Sequence, residues 1–351
     1  MSKTSPGRFF EDFRLGEIIR HATPRTLTRG DVALYQALHG GRFAVQSSAA
    51  FARALGYPDA PIDDLLVFHV VFGKTVPDIS LNAVANLGYA ACRFLAPVYP
   101  GDTVFAVSEV IGLKENSNRR TGVVHVRSQG YKSDGTPVLD YVRWVMVHKR
   151  DPAAPAPAAH IPTLPTHMHP DEIGDACPVL NVRHWDVALS GSPHRWADYE
   201  VGEKIDHVDG MTVEDAEHQL ATRLYQNTAR VHFNQFTESK GRFGRRLIYG
   251  GHVISLARAL SFNGLGNAFH VAAINAGRHA APLFAGDTVF AWSEVLDKQV
   301  LPGRDDVGAL RLRLIATKDR PCADFPLHTP SGDSDPAIIL DLDYWALLPR
   351  H

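Results

Sequence analysis

Leu65-Leu-Val-Phe-His-Val-Val-Phe72 is apolar at every position but one. A helix that is apolar all round belongs in a core. A short helix is predicted from Asp31 to Leu38, with Thr28 placed to cap its start and Gly40-Gly41 to end it. Beyond the apolar helix the pattern changes to long β-prone runs: Thr103 to Leu113, Gly122 to Tyr131 and Val138 to Val147. Lys114-Glu-Asn-Ser-Asn118 and Ser133-Asp-Gly135 supply the turns between them. The same order then returns, with a helical segment over Gly251 to Gly264 and strands over Thr288 to Leu296, Val307 to Thr317 and Ala337 to Leu348. The expected class is α+β, an antiparallel sheet wrapped round one buried helix and present twice.

The repeat is legible residue by residue. Ala96-Pro-Val-Tyr-Pro-Gly-Asp-Thr-Val-Phe-Ala-Val-Ser-Glu-Val110 reappears as Ala281-Pro-Leu-Phe-Ala-Gly-Asp-Thr-Val-Phe-Ala-Trp-Ser-Glu-Val295. Phe10-Glu-Asp-Phe-Arg-Leu-Gly-Glu17 is echoed by Trp196-Ala-Asp-Tyr-Glu-Val-Gly-Glu203, and Thr28-Arg-Gly-Asp31 by Thr212-Val-Glu-Asp215. Between the copies, Ala153-Ala-Pro-Ala-Pro-Ala-Ala159 favours an extended spacer. The chain divides into a first unit over 1–150, a Pro/Ala-rich linker over 151–190 and a second unit over 191–351. In the linker His167-Met-His-Pro-Asp-Glu172 has metal-ligand residue types, but Pro170 and the lack of a helical period predict a polar loop. Neither a metal nor an organic cofactor is expected.

The balance of charge narrows the function. Thirty-six Lys and Arg stand against 38 Asp and Glu, a formal charge of −2. That gives no basic excess for a nucleic-acid or acidic-membrane partner. Three scattered cysteines argue against a disulfide framework. No apolar run reaches the length of a membrane span, and Met1 to Phe10 does not read as a secretory signal. A soluble, cytoplasmic protein is expected.

The duplicated unit, with Pro100-Gly-Asp-Thr-Val104 opening a strand, resembles the MaoC-like hydratases of the hotdog fold. Their signature is G-D-x-N-P-[LI]-H after a T-x-x-D helix start. The resemblance implies a tandem hotdog that adds water across an enoyl-thioester double bond, the signature Asp and His holding the water. In the first copy Gly41 and Gln46 stand at those two positions, and neither residue moves protons. In the second copy, Gln226-Asn-Thr-Ala-Arg-Val-His232 keeps the His and has Asn227 for the Asp. His232 is thus the candidate general acid/base. Asn227 can orient a water or the ring but cannot ionise. Either His232 works alone, or Glu238 or Asp209 supplies a second acid.

The family also uses a backbone N–H at the glycine that opens the buried helix. Gly250, with Gly251 beside it, takes that place in the second copy, whereas Asp63-Asp64 stands there in the first. Long runs resemble the mesaconyl-CoA hydratase branch of this family, among them Val71-Phe-Gly-Lys-Thr-Val-Pro-Asp-Ile-Ser-Leu-Asn82, Tyr141-Val-Arg-Trp-Val-Met-Val147 and Leu224-Tyr-Gln-Asn-Thr-Ala-Arg-Val-His-Phe-Asn234. This implies reversible hydration of mesaconyl-CoA to β-methylmalyl-CoA in acetate or glyoxylate assimilation. Such a CoA thioester carries a free carboxylate, which calls for an arginine. Arg230, Arg42 and Arg278 are the candidates, Arg230 first. A general (R)-specific enoyl-CoA hydratase and a hotdog acyl-CoA thioesterase are the alternatives. The fused units could serve as one pseudo-dimer or pair again as a homo-oligomer.

Overall fold

The computed structural model describes residues 3–350. Among the described residues eleven strands form one antiparallel sheet: β1 (Ile18–Arg20), β2 (Arg25–Thr26), β3 (Ala83–Phe94), β4 (Thr103–Glu115), β5 (Thr121–Lys132), β6 (Pro137–His148), β7 (Lys204–Thr212), β8 (His270–His279), β9 (Thr288–Val300), β10 (Val307–Lys318) and β11 (Ile338–Pro349). Their spatial order is β1-β4-β5-β6-β3-β8-β11-β10-β9-β7, with β2 beside β4. Read from either end the order is the same, each strand of one half holding the place that its repeat holds in the other. The halves join where β3 pairs β8, in the register Tyr89↔Gly277, Ala90↔Ala276, Cys92↔Ile274 and Arg93↔Ala273.

The strands predicted from alternation are all present, each within three or four residues of its expected ends. The seam strands β3 and β8 escaped prediction for a physical reason. In β8 the first six residues are all buried, so the period-two signal of a half-exposed strand is missing. What covers the outer face is the linker. Met168, Ile173, Cys177, Leu180 and Trp185 pack with Phe269, Ala272, Ala273, Trp345 and Leu347. The Met168 backbone N–H donates to Asn275 Oδ1 at 2.8 Å, and Trp345 Nε1 donates to the Met168 carbonyl at 3.1 Å. The stretch expected to be a spacer and polar loop is therefore, beyond residue 167, a docked cover of the sheet.

The two central helices lie against the inner face, Asp64–Thr75 from the first half and Gly250–Leu260 from the second. Thr28 caps the short helix Arg29–His39, which ends at Gly40 with φ of 70°. Between the central helices the polar groups form a connected network. His39 donates from Nδ1 to the Tyr35 carbonyl at 2.9 Å, which makes its Nε2 an acceptor. That nitrogen lies 3.0 Å from His252 Nδ1 and 3.2 Å from the Tyr225 hydroxyl. Tyr35 donates to Ser255 Oγ at 2.9 Å, and His69 Nε2 bonds the same oxygen at 2.9 Å.

Burial holds these rings neutral. It pushes His39 and His207 down to about 4 and His218 to about 3, and His69 and His252 well below the usual histidine value. Between those values and about 6.5 the unfolded chain binds more protons than the folded one. Stability is thus complete above about pH 6.5 and declines as pH falls toward 4. We expect the thermal midpoint, followed by circular dichroism, to drop between pH 6.5 and 5, before most carboxylates titrate. A midpoint constant across that window would contradict the neutral network.

Candidate active site

A cleft of about 700 Å³ opens where the seam, the start of helix Gly250–Leu260 and the segment Asn227–Leu247 meet. Asn227, Arg230, His232 and Gly250 all line it, as do Phe72, Asn86, Tyr89 and Arg143 from the first half. His232 sits on a one-turn helix, Arg230–Phe233. Its Nδ1 donates to the Leu247 carbonyl at 2.9 Å, so the neutral ring presents Nε2 as its acceptor. Burial lowers its pKa to about 4. The Tyr249 ring stands 5.4 Å from it edge-on, and His218 supports its other side at 6.0 Å.

Asn227 is held from both ends. Its backbone N–H donates to the Thr222 carbonyl at 2.9 Å, and its Oδ1 accepts the Ala229 N–H at 3.0 Å. With the side-chain oxygen engaged, the amide NH2 is the group left to meet a ligand or water. The loop carrying it rests on Gly73 of the first central helix, where an added Cβ would lie 1.9 Å from the Tyr225 carbonyl oxygen. Gly250 is the first residue of its helix, capped by Tyr249. Tyr249 is fixed in turn by donating its backbone N–H to His218 Nε2 at 2.8 Å. A Cβ on Gly250 would fall 2.4 Å from the His279 ring, and one on Gly251 2.4 Å from the Tyr249 ring. These glycines permit close approach at a helix start, where N–H groups lack helical partners and the dipole favours negative charge.

Other expectations require correction. Arg42 is exposed and stacks on Phe262 at 4.6 Å, away from the cleft. Arg278 is exposed on β8, because side chains alternate along a strand and its neighbour His279 takes the cleft side. Gly251 is buried behind Gly250 and does not line the cleft. Of the two proposed carboxyls, Glu238 lines the cleft and Asp209 is exposed on β7.

Sequence reasoning missed His279, Tyr89 and Arg143. His279 Nε2 is hydrogen-bonded to the Tyr89 hydroxyl at 3.2 Å, and burial with His232 nearby lowers its pKa to about 4. A signal existed, since Phe94 occupies the matching position of the first copy. Arg143 also left one. It lies on β6 in phase with buried Tyr141, Val145 and Val147, an arginine at an inward position.

The matching region of the first half is closed. Its cavity measures about 10 Å³ and is bordered by Gly41, Phe43, Gln46 and Asp63. Gln46 donates to the Phe269 carbonyl at 2.7 Å, and Arg258 stacks on Phe43 at 3.6 Å. Asp64, opposite Gly250 in the repeat, accepts from His270 Nδ1 at 2.8 Å and the Val271 N–H at 2.9 Å.

A family model described as mesaconyl-CoA hydratase matches residues 2–325. The chain belongs to the mesaconyl-CoA hydratase family. It is 62% identical over 349 residues to the β-methylmalyl-CoA dehydratase of Chloroflexus aurantiacus, covering 99% of each chain. It is 61% identical over 351 residues to the mesaconyl-CoA hydratase of Cereibacter sphaeroides, covering 99% of this chain and 100% of that one. A crystal structure assigned as a MaoC domain protein dehydratase from Chloroflexus aurantiacus superposes with a TM-score of 0.98 at 61% identity over the whole of both chains. A double-hotdog protein of Mycobacterium tuberculosis superposes at 0.73 with 26% identity, covering 98% of each chain. The fold is thus the double hotdog, and the enzymes of this family are hydro-lyases.

Within the family frame, the contact at Gly73 ties the first central helix to the loop that bears Asn227. Replacing Gly73 by Ala forces that loop away. We expect Gly73→Ala to cost about 1–3 kcal/mol of stability, as overpacking does, and to lower turnover even where the variant is folded. Denaturant unfolding and steady-state assays read the two effects. Wild-type values in both would show that the contact is dispensable.

Proposed function

We propose that this chain reversibly adds water across the double bond of mesaconyl-CoA to give β-methylmalyl-CoA, with His232 moving the protons. The observation that carries this reading is the meeting, in one cleft, of a neutral histidine with its Nε2 free and a glycine-started helix N-terminus. Nε2 of His232 takes a proton from water, and the hydroxide adds to the carbon β to the thioester. The electron pair moves to the thioester oxygen, which the Gly250 N–H at the helix start stabilises. His232 then returns a proton to the α-carbon, restoring the neutral ring. Asn227 orients the water through its amide NH2. Arg230 and Arg242, at the exposed rim of the cleft, are placed for the CoA phosphates.

The first unit, 1–150, serves as a wall of this cleft rather than as a second site. Gly41 and Gln46 cannot transfer protons, and the space beside them is filled. The second unit, 191–351, bears the reacting groups, and the 151–190 segment holds the pair together. A hotdog thioesterase is disfavoured because helix Gly250–Leu260 carries no carboxylate. The hydrolytic candidates Asp63 and Asp64 cap the other central helix or bind His270. No helix among the described residues is long and apolar enough to cross a membrane.

Incubation with mesaconyl-CoA should lower the enoyl absorbance to an equilibrium value without releasing thiol, and His232→Ala should lower kcat by about 10²–10⁴-fold. Thiol release would mean a thioesterase, and near-full activity of His232→Ala would remove the histidine from the mechanism. Because His232 has a pKa near 4, kcat/KM should stay level from pH 8 to about 5 and fall below that as Nε2 takes up a proton. A fall centred near pH 6.5 would contradict the burial of this ring.

A further inference from the structure

Arg143 is fully buried, yet among the described residues no carboxylate pairs with it. Its Nη2 donates to Thr75 Oγ1 at 2.9 Å and Ser80 Oγ at 3.3 Å, its Nη1 reaches Asn86 Oδ1 at 3.5 Å, and its Nε has no protein partner. The guanidinium lies over the Phe72 ring at 4.3 Å. Two further donors facing the same cleft are buried and unpartnered: Asn86 Nδ2 and the Tyr249 hydroxyl. The Phe72 ring is 5.7 Å from that of Tyr249, and Tyr249 is 5.4 Å from His232. A permanently charged group with spare donors, taken out of water without a counter-ion, is costly unless an anion completes it. Glu238 is the single carboxylate among the residues lining the cleft, and the two other cations there, Arg230 and Arg242, are exposed.

We infer that Arg143, with Asn86 and Tyr249, forms the subsite for the free carboxylate of a dicarboxylic monothioester with a four-carbon main chain and so sets the substrate class of this cleft. The inference rests on the reading of the cleft as an enoyl-thioester hydratase. It places the recognising charge on the first half of the chain, opposite the acid/base on the second. The chemistry gives that charge a second use. In such a substrate the carboxylate is attached to the carbon that hydroxide attacks, and two negative charges converge there. A guanidinium beside the carboxylate removes that repulsion and turns the β-carbon toward the water held at His232. Bidentate pairing suits arginine better than lysine. A monocarboxylic acyl thioester would leave the site unpaired, which selects against it.

The test measures binding apart from turnover. Succinyl-CoA and butyryl-CoA share the thioester and the four-carbon chain and differ in the terminal carboxylate. Calorimetric titration of the wild-type chain should show succinyl-CoA bound at least about tenfold more tightly than butyryl-CoA. Arg143→Met should weaken succinyl-CoA by about a hundredfold with butyryl-CoA unchanged or tightened, and Arg143→Lys should recover part of the loss. Tyr249→Phe removes one hydroxyl and keeps the ring, so it tests the subsite even if Arg143→Met fails to fold. It should weaken succinyl-CoA alone, by a few-fold. Equal wild-type affinity for both ligands, or equal loss of both in folded variants, would overturn the assignment. Wild-type turnover of mesaconyl-CoA in the same preparation separates the two claims. Turnover without selectivity defeats the subsite only; selectivity without turnover defeats the hydratase reading only.

Discussion

The pairing of β3 with β8 is the constraint on which the rest depends. A single hotdog unit leaves its sheet edge open and its buried helix covered on one side. Joining two units edge to edge closes that edge, sets the two central helices against one another, and creates a cleft that neither unit owns. One wall carries Phe72, Asn86, Tyr89 and Arg143, and the other carries Asn227, His232, Gly250 and His279. The hydrogen bond from Tyr89 to His279 crosses the seam and fixes the two walls together. The linker reinforces the same line by covering the outer face of β8 and β11.

The repeat brings two such regions together, and the two halves differ there in opposite ways. Where the second central helix starts with glycines, the first starts with Asp63 and Asp64, whose carboxylates are used up in capping and in binding His270 and Val271. Where the open cleft has the Phe72 ring, the closed one is packed by the guanidinium of Arg258 lying on Phe43. Burial and the neighbouring Asp64 raise the Asp63 carboxyl to about 6.

Much of this was legible before any coordinates. The repeat offset predicted the architecture, because matching blocks hold matching strands and helices. The signature spacing selected His232 and Asn227, and the glycine that opens the second central helix gave Gly250; all three line one cleft. What escaped were features that depend on surfaces meeting. β8 lost its alternation where both its faces are covered, and the linker read as a spacer because its buried residues are sparse. The carboxylate-binding arginine was sought beside the histidine in sequence, at Arg230, although a cleft built from two halves can place it on the other half. Of eighteen histidines the sequence nominated one. His218 and His279 flank it directly, and His39, His69 and His252 connect it to the helix interface.

On the proposed function, one fold written twice yields one working cleft per chain. Titration of the intact protein with succinyl-CoA in a calorimeter counts the sites directly. One ligand bound per chain, with no weaker second phase, is the expected result. Two ligands bound per chain would contradict it, because the first half would then hold an open site as well.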